Sequence, residues 1–211
     1  MCGIIAAATD RSVGKLLIKG LHKMEYRGYD SAGIALHQET EIAHLRSLGK
    51  VKLLEERMIQ EKPKGKVGIA HTRWATHGEP SETNAHPHSS KGRVFIVHNG
   101  IIENYIELKE ELSSEGYSFS SQTDSELIAH ILDYYLTKGQ GMIDAMFSLK
   151  QKLNGAYAIA GIDQHDSEKF YLIRNKSPLL IGVSCDAHYA VSDPLAIADL
   201  TDNFIFLEDG D

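Results

Sequence analysis

Two kinds of hydrophobic periodicity are segregated along this chain, and their arrangement limits the folds open to it. Apolar runs of strand length occupy residues 2–8, 33–37, 43–48, 67–72 and 93–98. A second set occupies 156–162, 169–174, 180–184, 189–192 and 204–207, and Gly, Pro, Asn and Asp punctuate both sets. Between the sets lie three segments with helical spacing. Leu108 and Leu112 mark the first, and Leu127, Ile128, Ile131, Leu132 and Tyr135 the second. Met142, Ala145, Met146, Leu149 and Leu153 mark the third. Two more helices are expected, over about residues 13–25 and from Val51 to Ile59. Hairpin-like strand runs with helices gathered apart from them predict an α+β fold built on antiparallel sheets.

A chain of 211 residues is expected to form one domain, taken here as residues 2–211. Acidic residues outnumber basic ones by 29 to 22, for a net charge of −7. That balance argues against a nucleic-acid or anionic-membrane surface, each of which needs a basic stripe. There is no secretory signal, and no apolar run approaches a membrane span. The cysteines are Cys2 and Cys185, too few for a disulfide framework, so a reducing cytoplasm is expected. Cys185 closes the apolar stretch Leu179–Cys185 and reads as an inert core residue. The acidic end, Glu208-Asp209-Gly210-Asp211, reads as a cut at a domain boundary rather than a natural tail.

Chemistry gathers at the start. Removal of Met1 would leave Cys2 with both a thiol and a free α-amine. A thiol needs a base to become a good nucleophile, and an α-amine of pKa about 7.7–8.0 is suited to that work. Gly3 offers room for substrate to approach the backbone. Three polar or glycine-containing loops follow strands, at Arg27–Gly33, His71–Gly78 and His98–Gly100. Asn99-Gly100 reads either as a hairpin turn or as an oxyanion hole of one side-chain amide and one backbone N–H. Arg73 reads either as a surface ion pair or as a bidentate clamp on a carboxylate. Asp124 lies in Thr123-Asp124-Ser125-Glu126, which fits a capping box, with a substrate ammonium site as the alternative. Trp74, the single tryptophan, is a core residue or a lid.

Other chemistries have less support. His71, His77, His86, His88 and His98 cluster in sequence, but no H-E-x-x-H or C-x-x-C accompanies them, so no metal and no cofactor is expected. Gly28 and Gly33 have a phosphate-loop gap, yet Ile34-Ala35 stand where Lys and Ser/Thr belong. No G-x-S-x-G elbow is present.

Four strings together carry a resemblance. They are Cys2-Gly3-Ile4, Tyr26-Arg27-Gly28-Tyr29-Asp30-Ser31-Ala32-Gly33, His71-Thr72-Arg73-Trp74-Ala75-Thr76-His77-Gly78 and His98-Asn99-Gly100-Ile101-Ile102-Glu103-Asn104. With Asn154-Gly155-Ala156-Tyr157-Ala158 and Ser177-Pro178-Leu179, the chain resembles the glutaminase half of the glucosamine-6-phosphate synthase family, a class II glutamine amidotransferase, over its whole length. The resemblance implies an N-terminal-nucleophile hydrolase fold, a four-layer αββα sandwich. It implies that L-glutamine is the substrate and Cys2 the nucleophile, with Asn99 and Gly100 as the oxyanion hole. Arg73, Thr76, His77 and Asp124 would bind glutamine, Trp74 would guard the route for ammonia, and Arg27 and His86 would support. Sugar-isomerase domains, absent from these residues, and a homo-oligomeric parent protein are implied as well. Within the same fold amidophosphoribosyltransferase is the runner-up parent. A non-catalytic glutamine-binding module and a metal-dependent hydrolase are the readings from other classes.

Overall fold

The computed structural model describes residues 2–75 and 78–211. Its strands are β1 (Gly3–Thr9), β2 (Ser31–His37), β3 (Ile42–Leu48), β4 (Val67–Arg73), β5 (His88–Ser90), β6 (Val94–Ile102), β7 (Gly155–Asp163), β8 (Tyr171–Asn175), β9 (Leu180–Val183), β10 (Ala187–Val191) and β11 (Phe204–Phe206). Its helices are α1 (Gly14–Met24), α2 (Val51–Glu61), α3 (Tyr105–Ser114), α4 (Ser125–Thr137) and α5 (Met142–Lys152). The strands form a seven-stranded sheet, in the order β11-β9-β10-β1-β4-β2-β3, and a four-stranded sheet, β5-β6-β7-β8. The paired strands are antiparallel in both.

Burial on both faces explains why the central strands read as unbroken apolar runs. In β1, Ile5 and Ala7 face α1 and α2, packing with Leu17, Leu21 and Leu54. The alternate residues Ile4 and Ala6 face the other sheet, packing with Phe95, Val97, Ala158 and Ala160. The second sheet repeats the scheme. Val94, Ile96, Tyr157 and Ile159 meet α3, α4 and α5 through Leu108, Leu127, Ile131 and Leu149. A period-2 strand covered on each side needs apolar residues at every position. The result is four layers, helices–sheet–sheet–helices, as the resemblance implies.

The structure corrects several sequence expectations. Asn99-Gly100 is not a turn, because β6 runs through both residues and pairs them with Ala158 and Tyr157. Gly100 has φ +137°, and a Cβ there would lie 1.9 Å from the Ala156 carbonyl oxygen, so only glycine fits. β5 lies outside the strand-length apolar runs of the sequence. Cys185 is exposed, since β9 ends at Val183 and the cysteine falls in the turn that follows. Gly3 makes room for protein rather than substrate, as a Cβ there would meet Thr72 Oγ1 at 2.8 Å and Met24 Cβ at 3.0 Å.

Leu17 is fully buried between α1 and the seven-stranded sheet. Leu17→Ala should lower unfolding free energy by about 2–5 kcal/mol, measured by urea denaturation.

Candidate active site

β1 and β4 are neighbours, with Gly3 opposite Thr72. That register places Cys2, just before β1, beside Arg73 and Trp74 at the end of β4. The Trp74 backbone N–H donates to Cys2 Sγ at 3.2 Å. Burial pushes the Cys2 thiol above its ordinary pKa, and Asp30 adds to that. The Trp74 N–H and the Arg73 guanidinium pull in the opposite direction. The net effect favours the protonated thiol, so attack by Sγ requires a base.

Asn99 reaches across from the other sheet. Its Nδ2 donates to the Cys2 carbonyl at 3.0 Å, and its Oδ1 lies 2.9 Å from His71 Nε2. Gly100 is exposed beside it on β6. The segment after Gly100 is anchored twice. The Ile102 N–H donates to Asp124 Oδ2 at 2.8 Å, and Asn104 accepts from the Asn154 N–H at 3.0 Å while donating to the Lys152 carbonyl.

Arg73 is 4% exposed, and its guanidinium donates to the carbonyls of Gly78 and Glu79 at 3.2 and 3.4 Å. Burial lowers its pKa, offset in part by Cys2, Asp30 and Asp124. Asp30 accepts the Ala75 N–H at 2.8 Å, tying the loop after β4 to the one before β2. Trp74 is 43% exposed, and its ring meets Tyr29 edge-on at 5.4 Å. Arg27 pairs with Asp193, which also accepts from Tyr26, so it braces the glycine loop against the end of β10. Thr76 and His77 lie outside the described residues.

The capping box does not form. Thr123 Oγ1 pairs with His88 Nε2 at 3.1 Å, and Glu126 accepts the N–H groups of Ser120 and Ser121. Asp124 precedes α4 without a side-chain cap bond and holds Ile102 instead. Asp124 is thus separate from helix capping, and its charge acts on Arg73.

His86 lies next to His71. Its ring packs on His71 with centroids 4.1 Å apart and on His88 at 4.7 Å, and all three are buried. Burial pushes His71 and His88 down to about 3 and His86 well below its ordinary value. The three rings are therefore neutral at physiological pH. Among the described residues, no group of three or more His, Cys, Asp or Glu side chains is placed to hold a metal ion. Sequence reasoning gave no catalytic role to His71 or Asp30, whose contacts join separate strands and loops. A cleft of about 830 Å³ between α1 and α2 shares no residue with this site.

Residues 71–199 match the family described as glutamine amidotransferase domain. The whole chain is 51% identical to glutamine–fructose-6-phosphate aminotransferase (isomerizing) of Haemophilus influenzae, covering 35% of that protein. It is 47% identical to the protein of the same name from Acinetobacter baylyi, covering 34% of it. The chain thus spans about a third of the length of these curated relatives. In fold it is similar to the glutamine phosphoribosylpyrophosphate amidotransferase of B. subtilis complexed with ADP and GMP. The TM-score is 0.81 at 24% identity, over 98% of this chain and 44% of that one. A structure described as the allosteric regulatory enzyme of purine biosynthesis gives a TM-score of 0.86 at 24% identity, over 99% of this chain and 45% of that one. These two likenesses concern the fold alone, an α+β architecture of two antiparallel sheets covered by helices.

The buried histidines make stability depend on pH. His71 and His88 at about 3, and His44 at about 4, titrate in the folded state below the unfolded value of about 6.5. Their contribution is complete above pH 6.5 and is lost as pH falls toward their folded values. Each removes up to about 1.4 kcal/mol per pH unit below 6.5. The urea midpoint should hold steady from pH 8 to 7 and fall steeply between pH 6 and 4.5.

Proposed function

Because the chain belongs to the glutamine amidotransferase domain family, we propose that it hydrolyses the side-chain amide of L-glutamine to glutamate and ammonia, with Cys2 as nucleophile. The supporting observation is the convergence on one residue: the Trp74 N–H on Sγ and the Asn99 amide on the carbonyl, with Arg73 beside them. A thiol held protonated by burial needs a base, and the α-amine exposed by loss of Met1 is the one closest in covalent structure. In this reading the amine takes the thiol proton and Sγ attacks the amide carbon. The oxyanion is held by the second N–H of Asn99 and the Gly100 N–H. The ammonium then gives its proton to the leaving nitrogen, and ammonia departs. Water cleaves the γ-glutamyl thioester after giving its own proton to the amine, and glutamate is released.

Substrate selection follows from charge. The Arg73 fork suits the α-carboxylate of glutamine, and the Asp124 carboxylate its α-ammonium. Thr76 and His77, outside the described residues, are assigned to glutamine binding from the resemblance alone, Trp74 shields the departing ammonia, and Arg27 and His86 hold the surrounding loops. We place these residues, 2–211, as the glutaminase domain of a longer cytoplasmic, homo-oligomeric protein. Its sugar-isomerase domains would use the ammonia to convert fructose 6-phosphate to glucosamine 6-phosphate. The 51% identity to the fructose-6-phosphate enzyme, against 24% to the phosphoribosylpyrophosphate enzyme, favours a hexose-phosphate acceptor.

The purified chain supplied with glutamine should form glutamate. Fructose 6-phosphate should neither stimulate it nor be converted to amino sugar. Amino sugar formed by this chain alone would contradict the placement of the acceptor site in another domain. Asn99→Ala should lower kcat by about 10²–10³-fold, whereas Arg73→Ala should mainly raise KM. A normal kcat with a raised KM in Asn99→Ala would move Asn99 from transition-state stabilisation to substrate binding.

A further inference from the structure

An asparagine amide offers two faces, and only one is useful to an oxyanion. The Asn99 side chain contacts two groups whose hydrogen-bonding character differs. The Cys2 carbonyl, 3.0 Å away, can only accept, so it must face the amide NH₂. The opposite face, Oδ1, can only accept as well, so its partner at 2.9 Å, His71 Nε2, must be the donor. One self-consistent arrangement follows: His71 carries its proton on Nε2, and the Asn99 NH₂ points at the nucleophile residue. Rotation of the amide by 180° would set a carbonyl oxygen against the Cys2 carbonyl and an NH₂ against the His71 N–H, breaking both bonds.

His71 is itself held. It lies on β4, opposite Gly33 of β2 and Ile4 of β1, and is fully buried. The His86 ring packs against it at 4.1 Å, and His86 is followed by His88, bonded to Thr123. A ring fixed on a central strand of one sheet thus reaches a side chain on the other. Its neutral state, set by burial, keeps a single proton on the ring and leaves no charge beside the site.

We propose that His71 is a positioning residue for the amide hydrolysis, which locks the Asn99 amide with its NH₂ toward Cys2 so that the oxyanion hole exists before substrate arrives. Asn99 Nδ2 has two N–H bonds: the Cys2 carbonyl takes one and the other is directed to the developing oxyanion. Without the His71 donor only the Cys2 carbonyl would hold the amide's orientation, and a flipped amide presents a lone pair where negative charge forms. The inference rests on the reading of Asn99 as an oxyanion donor.

The test compares two amides at position 71. In His71→Gln the amide nitrogen reaches the place of Nε2, whereas in His71→Asn the same group is one methylene short. Glutamine hydrolysis is measured for both, alone and in the Asn99→Ala background, with melting temperature recorded for each. His71→Asn should lower kcat by about 10–100-fold with KM changed less than about threefold, because misplacing a catalytic group by about 1 Å costs that much. His71→Gln should keep kcat within about fivefold of the parent chain, as its donor remains in reach. In the Asn99→Ala background His71→Asn should cost nothing further, since both act through one group. Unchanged kcat in His71→Asn, equal losses in both variants, or the same loss repeated on Asn99→Ala would each overturn the positioning role. A normal kcat in Asn99→Ala would instead refute the oxyanion reading beneath it, and is seen without any change at position 71.

Discussion

The hydrogen bond from Asn99 to the Cys2 carbonyl joins two sheets that share no strand pairing. Its existence depends on how the sheets are stacked. Small residues, among them Ala6, Ala35, Ala158, Ala160 and Ala190, line much of the buried contact between them. The Gly3–Thr72 register then sets Cys2 against the end of β4, and β6 carries Asn99 to it from the other side. Each contact near the thiol descends from those two placements. The covering helices supply burial, and Trp74 and Asn99 donate hydrogen bonds to Cys2.

Electrostatics at the site are governed by exclusion of water more than by opposed charges. Burial raises the Cys2 thiol, lowers Arg73 and keeps the His71–His86–His88 rings neutral. A neutral histidine can be a fixed dipole with one donor, which suits orientation of an amide better than a cation would. The same burial has a cost in acid, where each ring must be protonated on unfolding. Function and acid sensitivity therefore share one cause.

Much of this was legible in the sequence because it is local. Period 2 and period 3.6 separated strands from helices, and the strings around Cys2, Arg73 and Asn99 carried the resemblance. What was misread depends on distant partners. Asn99-Gly100 has turn chemistry, yet pairing with β7, more than fifty residues away, extends it as strand. Thr123 and Glu126 have capping chemistry, yet His88 and the Ser120–Ser121 backbone take them first. His88–Ser90 is too short to show a period. The run ending at Cys185 looked buried because it is apolar, and Leu179, Leu180 and Gly182 are buried, but the sheet releases the chain at Val183. In the sequence His71 showed only as one of five clustered histidines, near the end of an apolar run; that it faces Asn99 is a fact about two sheets.

The claim that Cys2 is the N-terminal nucleophile is tested most directly by trapping its intermediate. The chain is mixed with glutamine, quenched in acid during turnover, and analysed by intact mass and peptide mapping. The account predicts a chain lacking Met1 with a γ-glutamyl group on Cys2 and none on the exposed Cys185. Glutamate formation by a chain that retains Met1, or an adduct found only on Cys185, would contradict it.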